Sequence, residues 1–117
     1  MDERLEKALD FSNYMITLNN QKRILKEQFR EQIIFYHAGA QFTVTKELLT
    51  FVTMLVETEH VENVVLVDDN ETPAKIENLE AFLDDIMDVY FSATNTFHTE
   101  YTKLKNNRSV EKLTDYE

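Results

Sequence analysis

The sequence predicts an α+β fold: two long antiparallel helices, coiled-coil-like, with a short helix and a small antiparallel β-sheet at one end. Three observations predict it. The 117 residues include one Gly and one Pro, and a chain so poor in helix breakers favours long helices over a loop-rich all-β structure. Apolar residues recur at three- and four-residue steps through both the N-terminal and the C-terminal thirds of the chain. Between these lies a β-branched stretch ending in turn formers, "VVLVDDNETP" (64–73). At this length one core is expected, a single domain over residues 1–106 followed by a polar tail, 107–117.

Each element follows from local pattern. Residues 3 to about 36 read as one helix, because Leu5, Ala8, Leu9, Met15, Leu18, Leu25, Phe29, Ile33 and Tyr36 line one helical face. Ser12 and the Asn19–Lys22 stretch interrupt that stripe. "HAGA" should end the helix, with Gly39 taking the left-handed conformation common after a helix C-terminus. "QFTVT" (41–45) alternates as a half-buried strand. Thr45 is a good N-cap for a helix over "KELLTFVTMLVETEH", whose buried face would be Leu48, Phe51, Val52 and Leu55. "VENVVLVD" is a second strand, "DDNETP" a turn, and "AKIEN" an antiparallel return that brings Ile76 near Val65. From Leu79 to Asn106 the row Leu79, Leu83, Ile86, Tyr90, Ala93, Phe97, Tyr101 and Leu104 runs without polar interruption, a coiled-coil-like seam.

Charge gives an independent check on antiparallel helices. Lys26 and Arg30 would then face Asp84, Asp85 and Asp88, while Asp2, Glu3, Glu6 and Asp10 would face Lys103, Lys105, Arg108 and Lys112. Exposed pairs of this kind contribute about 0–1 kcal/mol each, so they bear on orientation more than on stability.

Composition narrows the function. The formal net charge is -10, which opposes direct nucleic-acid binding, since that affinity comes from cations displacing phosphate counterions. There is no cysteine, which removes disulfides, thiolate metal sites and thiol nucleophiles. No apolar run reaches signal-peptide or membrane-spanning length, so a soluble, cytoplasmic protein is expected.

Asp68-Asp69 after a hydrophobic strand is how response-regulator receiver domains begin, but no later strand is available to carry a phosphoacceptor. As a calcium loop starting at Asp68, the stretch has Pro73 where the glycine belongs and Leu79 where the bidentate Glu belongs. A polar hairpin turn is the better reading. Asp84, Asp85 and Asp88 lack the Glu-x-x-His motifs of helical di-metal sites and read as a solvated or ion-paired flank. His37, His60 and His98 have no ligand spacing, and one glycine leaves no room for a G-x-S-x-G elbow or a phosphate loop. No catalytic residue, cofactor or metal is therefore expected. The run "QKRILKEQFR" (21–30) places Lys22, Arg23, Lys26 and Arg30 along one flank as a possible basic stripe. At this net charge, neutralisation by the acidic flank outweighs a phosphate-tracking role.

Surplus apolar surface remains. Phe82, Met87, Val89 and Phe91 lie off the last helix's seam. Phe11, Tyr14, Ile16, Ile24 and Ile34 lie off that of the first, and the strand 64–67 is apolar on both faces. Such surface is absorbed by the short helix and sheet or hidden in a subunit interface. The expectation is a non-enzymatic protein-interaction module, homodimeric, with Tyr14, Phe82 and Val89 as contact positions. A second reading is a nucleic-acid-related accessory protein or an acidic DNA mimic.

The segments "RLEKALDFSNYMITLNNQKRILKEQF", "FTVTKELLTFV", "VLVDDNETPAKIENLEAFLDDI" and "YFSATNTFHTEYTKLK" together resemble a family of small uncharacterised proteins of T4-like marine cyanophages. That resemblance covers nearly the whole chain. It implies a protein made in the host cytoplasm during infection, with a viral or host protein as partner. It brings no catalytic residues.

Overall fold

The computed structural model describes residues 2–116, with side chains described for residues 2–106. The elements run α1 (Glu3–Gln32), β1 (Ile34–His37), β2 (Ala40–Thr43), α2 (Lys46–Glu57), β3 (Glu62–Val67), β4 (Pro73–Asn78) and α3 (Leu79–Tyr116). The fold is α+β, with two long helices that pack and two small antiparallel hairpins. Residues 107–116, expected as a tail, continue the α3 backbone, and their side chains lie outside the described residues. The chain forms two compact units, Met1–Gln28 with Thr96–Glu117, and Phe29–Asn95.

All three helices start on a side-chain cap that satisfies an otherwise orphaned N–H. Asp2 Oδ1 accepts from Arg4 N at 3.1 Å, Thr45 Oγ1 from Leu48 N at 3.1 Å, and Asn78 Oδ1 from Ala81 N at 3.1 Å. Helix α2 ends in a Schellman motif, with Glu59 N donating to Val56 O and His60 N to Leu55 O. Glu59 takes the left-handed position, at φ 68.

The single sheet expected from sequence is two separate two-stranded hairpins. Residues 34–37 do not continue α1. They form β1, which pairs with β2 in the register Ile34↔Thr43 to His37↔Ala40. The physical reason lies in "IIFYHAGAQFTV": β-branched and aromatic residues flank a two-residue loop, Ala38-Gly39, with φ of 50 and 83. Two successive positive φ values are what a type I′ hairpin turn requires. Gly39 thus serves a hairpin, not a helix end. Ala38 bears the steric cost of the left-handed region, so Ala38→Asn, which creates the favoured Asn-Gly turn, is expected to stabilise the protein by about 1 kcal/mol. Urea denaturation measures this, and a lower midpoint for the variant would contradict the turn assignment.

In the second hairpin Val64 pairs with Ile76 and Val65 with Lys75, one residue from the expected register. Leu66 and Ile76 point inward. Val65 and Val67, 60% and 65% exposed, point out. In the five-residue connection Asp68 N donates to Thr72 O at 2.9 Å, closing a three-residue turn in which Glu71 N donates to Asp68 O at 3.1 Å and Glu71 is left-handed at φ 58, the form that follows a type I turn.

The core lies in the Phe29–Asn95 unit. Val44, Val52, Ile76, Leu79 and Ile86 are fully buried there with Phe42 and Phe82. Phe82 is 1% exposed and meets three rings: Phe42 at 5.2 Å, His37 at 5.4 Å and Phe35 at 5.9 Å between centroids. On α2, Leu48, Val52 and Leu55 face this core together with Leu49 and Val56, whereas Phe51 is exposed. In the other unit, residues 3–28 of α1 pack with α3, where the described side chains run from 96 to 106. Leu18 is buried, Lys22 Nζ sits 5.9 Å from the Tyr101 ring centroid, and Gln21, Ile24, Leu25, Glu100, Lys103 and Leu104 line a groove of about 300 Å³.

Candidate functional site: the paired aspartates and the apolar faces

Asp68 and Asp69 sit where β3 gives way to its turn, and their carboxylates face the neighbouring hairpin. The Asp68 side chain is buried. Its Oδ1 accepts the backbone N–H groups of Asn70 and Thr72, both at 2.9 Å, and its Oδ2 accepts that of Gln41 at 3.2 Å. Asp69 Oδ1 accepts Thr43 N at 3.0 Å. Its Oδ2 accepts Thr43 Oγ1 at 2.7 Å and Gln41 Nε2 at 3.1 Å, while its own N–H donates to Gln41 O at 2.8 Å. All four carboxylate oxygens are engaged by donors of the protein itself.

The Thr72 N–H first, and then those of Gln41 and Asn70, hold the Asp68 carboxyl below its ordinary value against the opposing effect of desolvation. A carboxylate surrounded by N–H groups is a fixed anion that organises backbone. The pair therefore clasps β2 to the β3–β4 turn. Among the described residues no group of three or more His, Asp or Glu side chains is arranged to hold a metal ion.

The other sequence candidates are dispersed. His37 packs on Phe35 and Phe82, and His60 Nδ1 lies 3.0 Å from Thr58 Oγ1. Asp84, Asp85 and Asp88 are exposed, as are Arg23, Lys26 and Arg30. Within the Phe29–Asn95 unit Arg30 forms no ion pair with those aspartates among the described residues. Lys103 pairs with Glu100 of its own helix at 3.4 Å. Arg108 and Lys112 lie outside the described side chains. Lys22 is half-buried against Tyr101, which separates it from the three exposed cations of the stripe.

Of the three residues expected as contacts, Phe82 presents no surface, because it is the central ring of the core. Val89 is half-buried against that core, and Tyr14 is half-buried on α1. Exposed apolar side chains lie elsewhere: Leu5, Leu9, Phe11, Ile16 and Ile24 on α1, and Met87 and Phe91 on α3. Two residues that hold the clasp, Gln41 and Thr43, carried no signal beyond strand alternation.

What the fold and these residues define is an α+β protein in which the paired aspartates, among the described residues, bond one hairpin to the turn of the other. No helix among the described residues is long and apolar enough to cross a membrane. No protein-family model matches the chain, and neither the curated proteins nor the solved structures contain a match to it.

Proposed function

We propose that this protein is a non-enzymatic interaction module that self-associates through the outer face of α1. One observation carries the reading. Leu9 and Leu18, like Ile16 and Leu25, are separated by two and a half turns of a helix with about 3.6 residues per turn, which puts the members of each pair on opposite sides. Leu18 is 3% exposed and Leu25 lines the groove with α3, while Leu9 and Ile16 are 47% and 56% exposed. Helix α1 is thus apolar on two sides within a unit that has only two helices. A polar outer face is the rule for a helix that ends its structural role at one neighbour, and a second copy laid on Leu5, Leu9 and Ile16 completes a four-helix arrangement. In this reading the long helices form an antiparallel, coiled-coil-like pair, and the acidic surface governs encounter and selectivity towards a further viral or host protein partner. The resemblance to small cyanophage proteins supplies that class of partner.

Sedimentation equilibrium tests it. The native chain is expected as a dimer, and Leu9→Asn/Ile16→Asn is expected to weaken dimerisation by about 100-fold or more, from the loss of two apolar contacts per protomer, with helical circular dichroism retained. A monomeric native chain at tens of micromolar would overturn the dimer. A dimer unaffected by the two substitutions would place the interface elsewhere.

A further inference from the structure

The paired aspartates act on the β2 edge in a way that goes beyond holding two hairpins together, and independently of the α1 face. In the β1–β2 register the closing pair His37↔Ala40 leaves Gln41 and Thr43 as the β2 residues whose backbone groups point away from β1. These are the groups a further strand would use. Each has a partner. Gln41 N donates to Asp68 Oδ2 and Gln41 O accepts from Asp69 N. Thr43 N donates to Asp69 Oδ1 and Thr43 O accepts from Thr45 N. Three of the four partners come from the two aspartates, so the turn occupies the place of a third strand.

The outer edges of the strands differ in what protects them. β4 opens on Pro73 and carries Lys75 and Glu77, residues that blunt an edge against pairing. β2, "AQFT", has neither charge nor proline. Its uncharged edge is protected by the carboxylates of the turn.

We infer that the Asp68–Asp69 turn is an autoinhibitory seal on β2, and that removing it allows two copies of this chain to pair β2 to β2. Two opened edges offer the same alternating donors and acceptors, and an antiparallel pair about a two-fold axis satisfies both at once. The seal keeps that mode of association closed in the native protein, separately from any contact made by α1.

The experiment compares three forms of the full chain at neutral pH: native, Asp68→Ala/Asp69→Ala, and the same double variant with Gln41→Lys. Mass is followed by light scattering across a concentration series, and exchange of the Gln41 and Thr43 amides by NMR. In the native protein both amides are expected to exchange slowly. The double variant should lose that protection at low concentration, then at least double its mass over the native form as concentration rises, with the two amides protected again. In the pairing that protects both amides Gln41 stands opposite Thr43 and diagonal to the second copy's Gln41, so Gln41→Lys brings like charges within side-chain reach of each other and should return the mass to the native value. A double variant that keeps the native mass throughout overturns the seal, and so does association that Gln41→Lys leaves unchanged. Should the double variant lose its helical signal, Asp69→Ala alone, which preserves the Asp68 turn, is read by the same criteria.

Discussion

Phe82→Ala is expected to remove about 3–5 kcal/mol of stability, the range for deleting a buried aromatic ring from a core, a large share of the about 5–15 kcal/mol typical of a folded domain. The ring is 1% exposed and lies within 6 Å of the ring centroids of Phe35, His37 and Phe42. Among the described residues of α3 it is the side chain that meets rings from both strands of the first hairpin. Truncation leaves a cavity that β1 and β2 cannot fill without breaking their register, and it removes edge-to-face contacts worth about 0.5–1.5 kcal/mol each beyond buried area. Phe82→Leu keeps most of the volume and should lose distinctly less. Urea unfolding read by circular dichroism gives both values. A loss below about 1 kcal/mol for the alanine variant would mean that the core does not depend on this ring.

Phe82 also shows where the sequence was legible and where it was not. The existence of α2, its Thr45 cap, the β3–β4 hairpin and the long α3 could be read directly, because each rests on local chemistry: a cap, a turn, a period. The rotation of α3 about its axis could not. The row Leu79, Leu83, Ile86, Tyr90 and the row Leu79, Phe82, Ile86, Val89, Ala93 both satisfy helical spacing, and only the position of the hairpins decides between them. Phe82 of the second row enters the core beside Leu79, Ile86 and Ala93, while Leu83, Val89 and Tyr90 lie at its margin and Met87 and Phe91 outside. The same ambiguity affected α1. Leu5 and Leu9 share a period with Leu18 loosely enough to join one stripe on paper, yet they lie on the far side of the helix. β1 was hidden because Phe29, Ile33 and Tyr36 extend a helical spacing through residues that are β-branched or aromatic, and the decisive feature, an Ala-Gly turn with both φ values positive, is a property of the pair of strands. The clasp was beyond reach for another reason. Turn chemistry correctly placed Asp68 and Asp69 in a hairpin, but their partners Gln41 and Thr43 lie more than 25 residues away in sequence.

Asp68→Asn is expected to lower the melting temperature by several degrees, more than Asp69→Asn does, and to make the remaining stability less sensitive to acid. The carboxylate accepts three backbone N–H groups, two on Oδ1 and one on Oδ2. An amide of the same shape has one accepting oxygen. If that oxygen stays with Asn70 and Thr72, the amide NH₂ meets the Gln41 N–H, donor against donor. If it turns to Gln41, the turn itself loses both bonds. Either way a part-buried backbone hydrogen bond to this carboxylate is lost and its donor is left without that partner, and that asymmetry makes the change costly. The acid dependence follows from linkage. Because the folded-state pKa of Asp68 is lowered, chiefly by the Thr72 N–H, its ionised form contributes stability in full above the ordinary carboxylate value of about 4. That contribution is lost as pH falls through the lower folded-state value. The gap in melting temperature between native and Asp68→Asn protein should therefore be widest near neutral pH and narrow on acidification below the ordinary range. A gap that stays constant from pH 7 into the acid limb would mean that the substitution acts by shape alone and that the charge on Asp68 contributes nothing to the clasp.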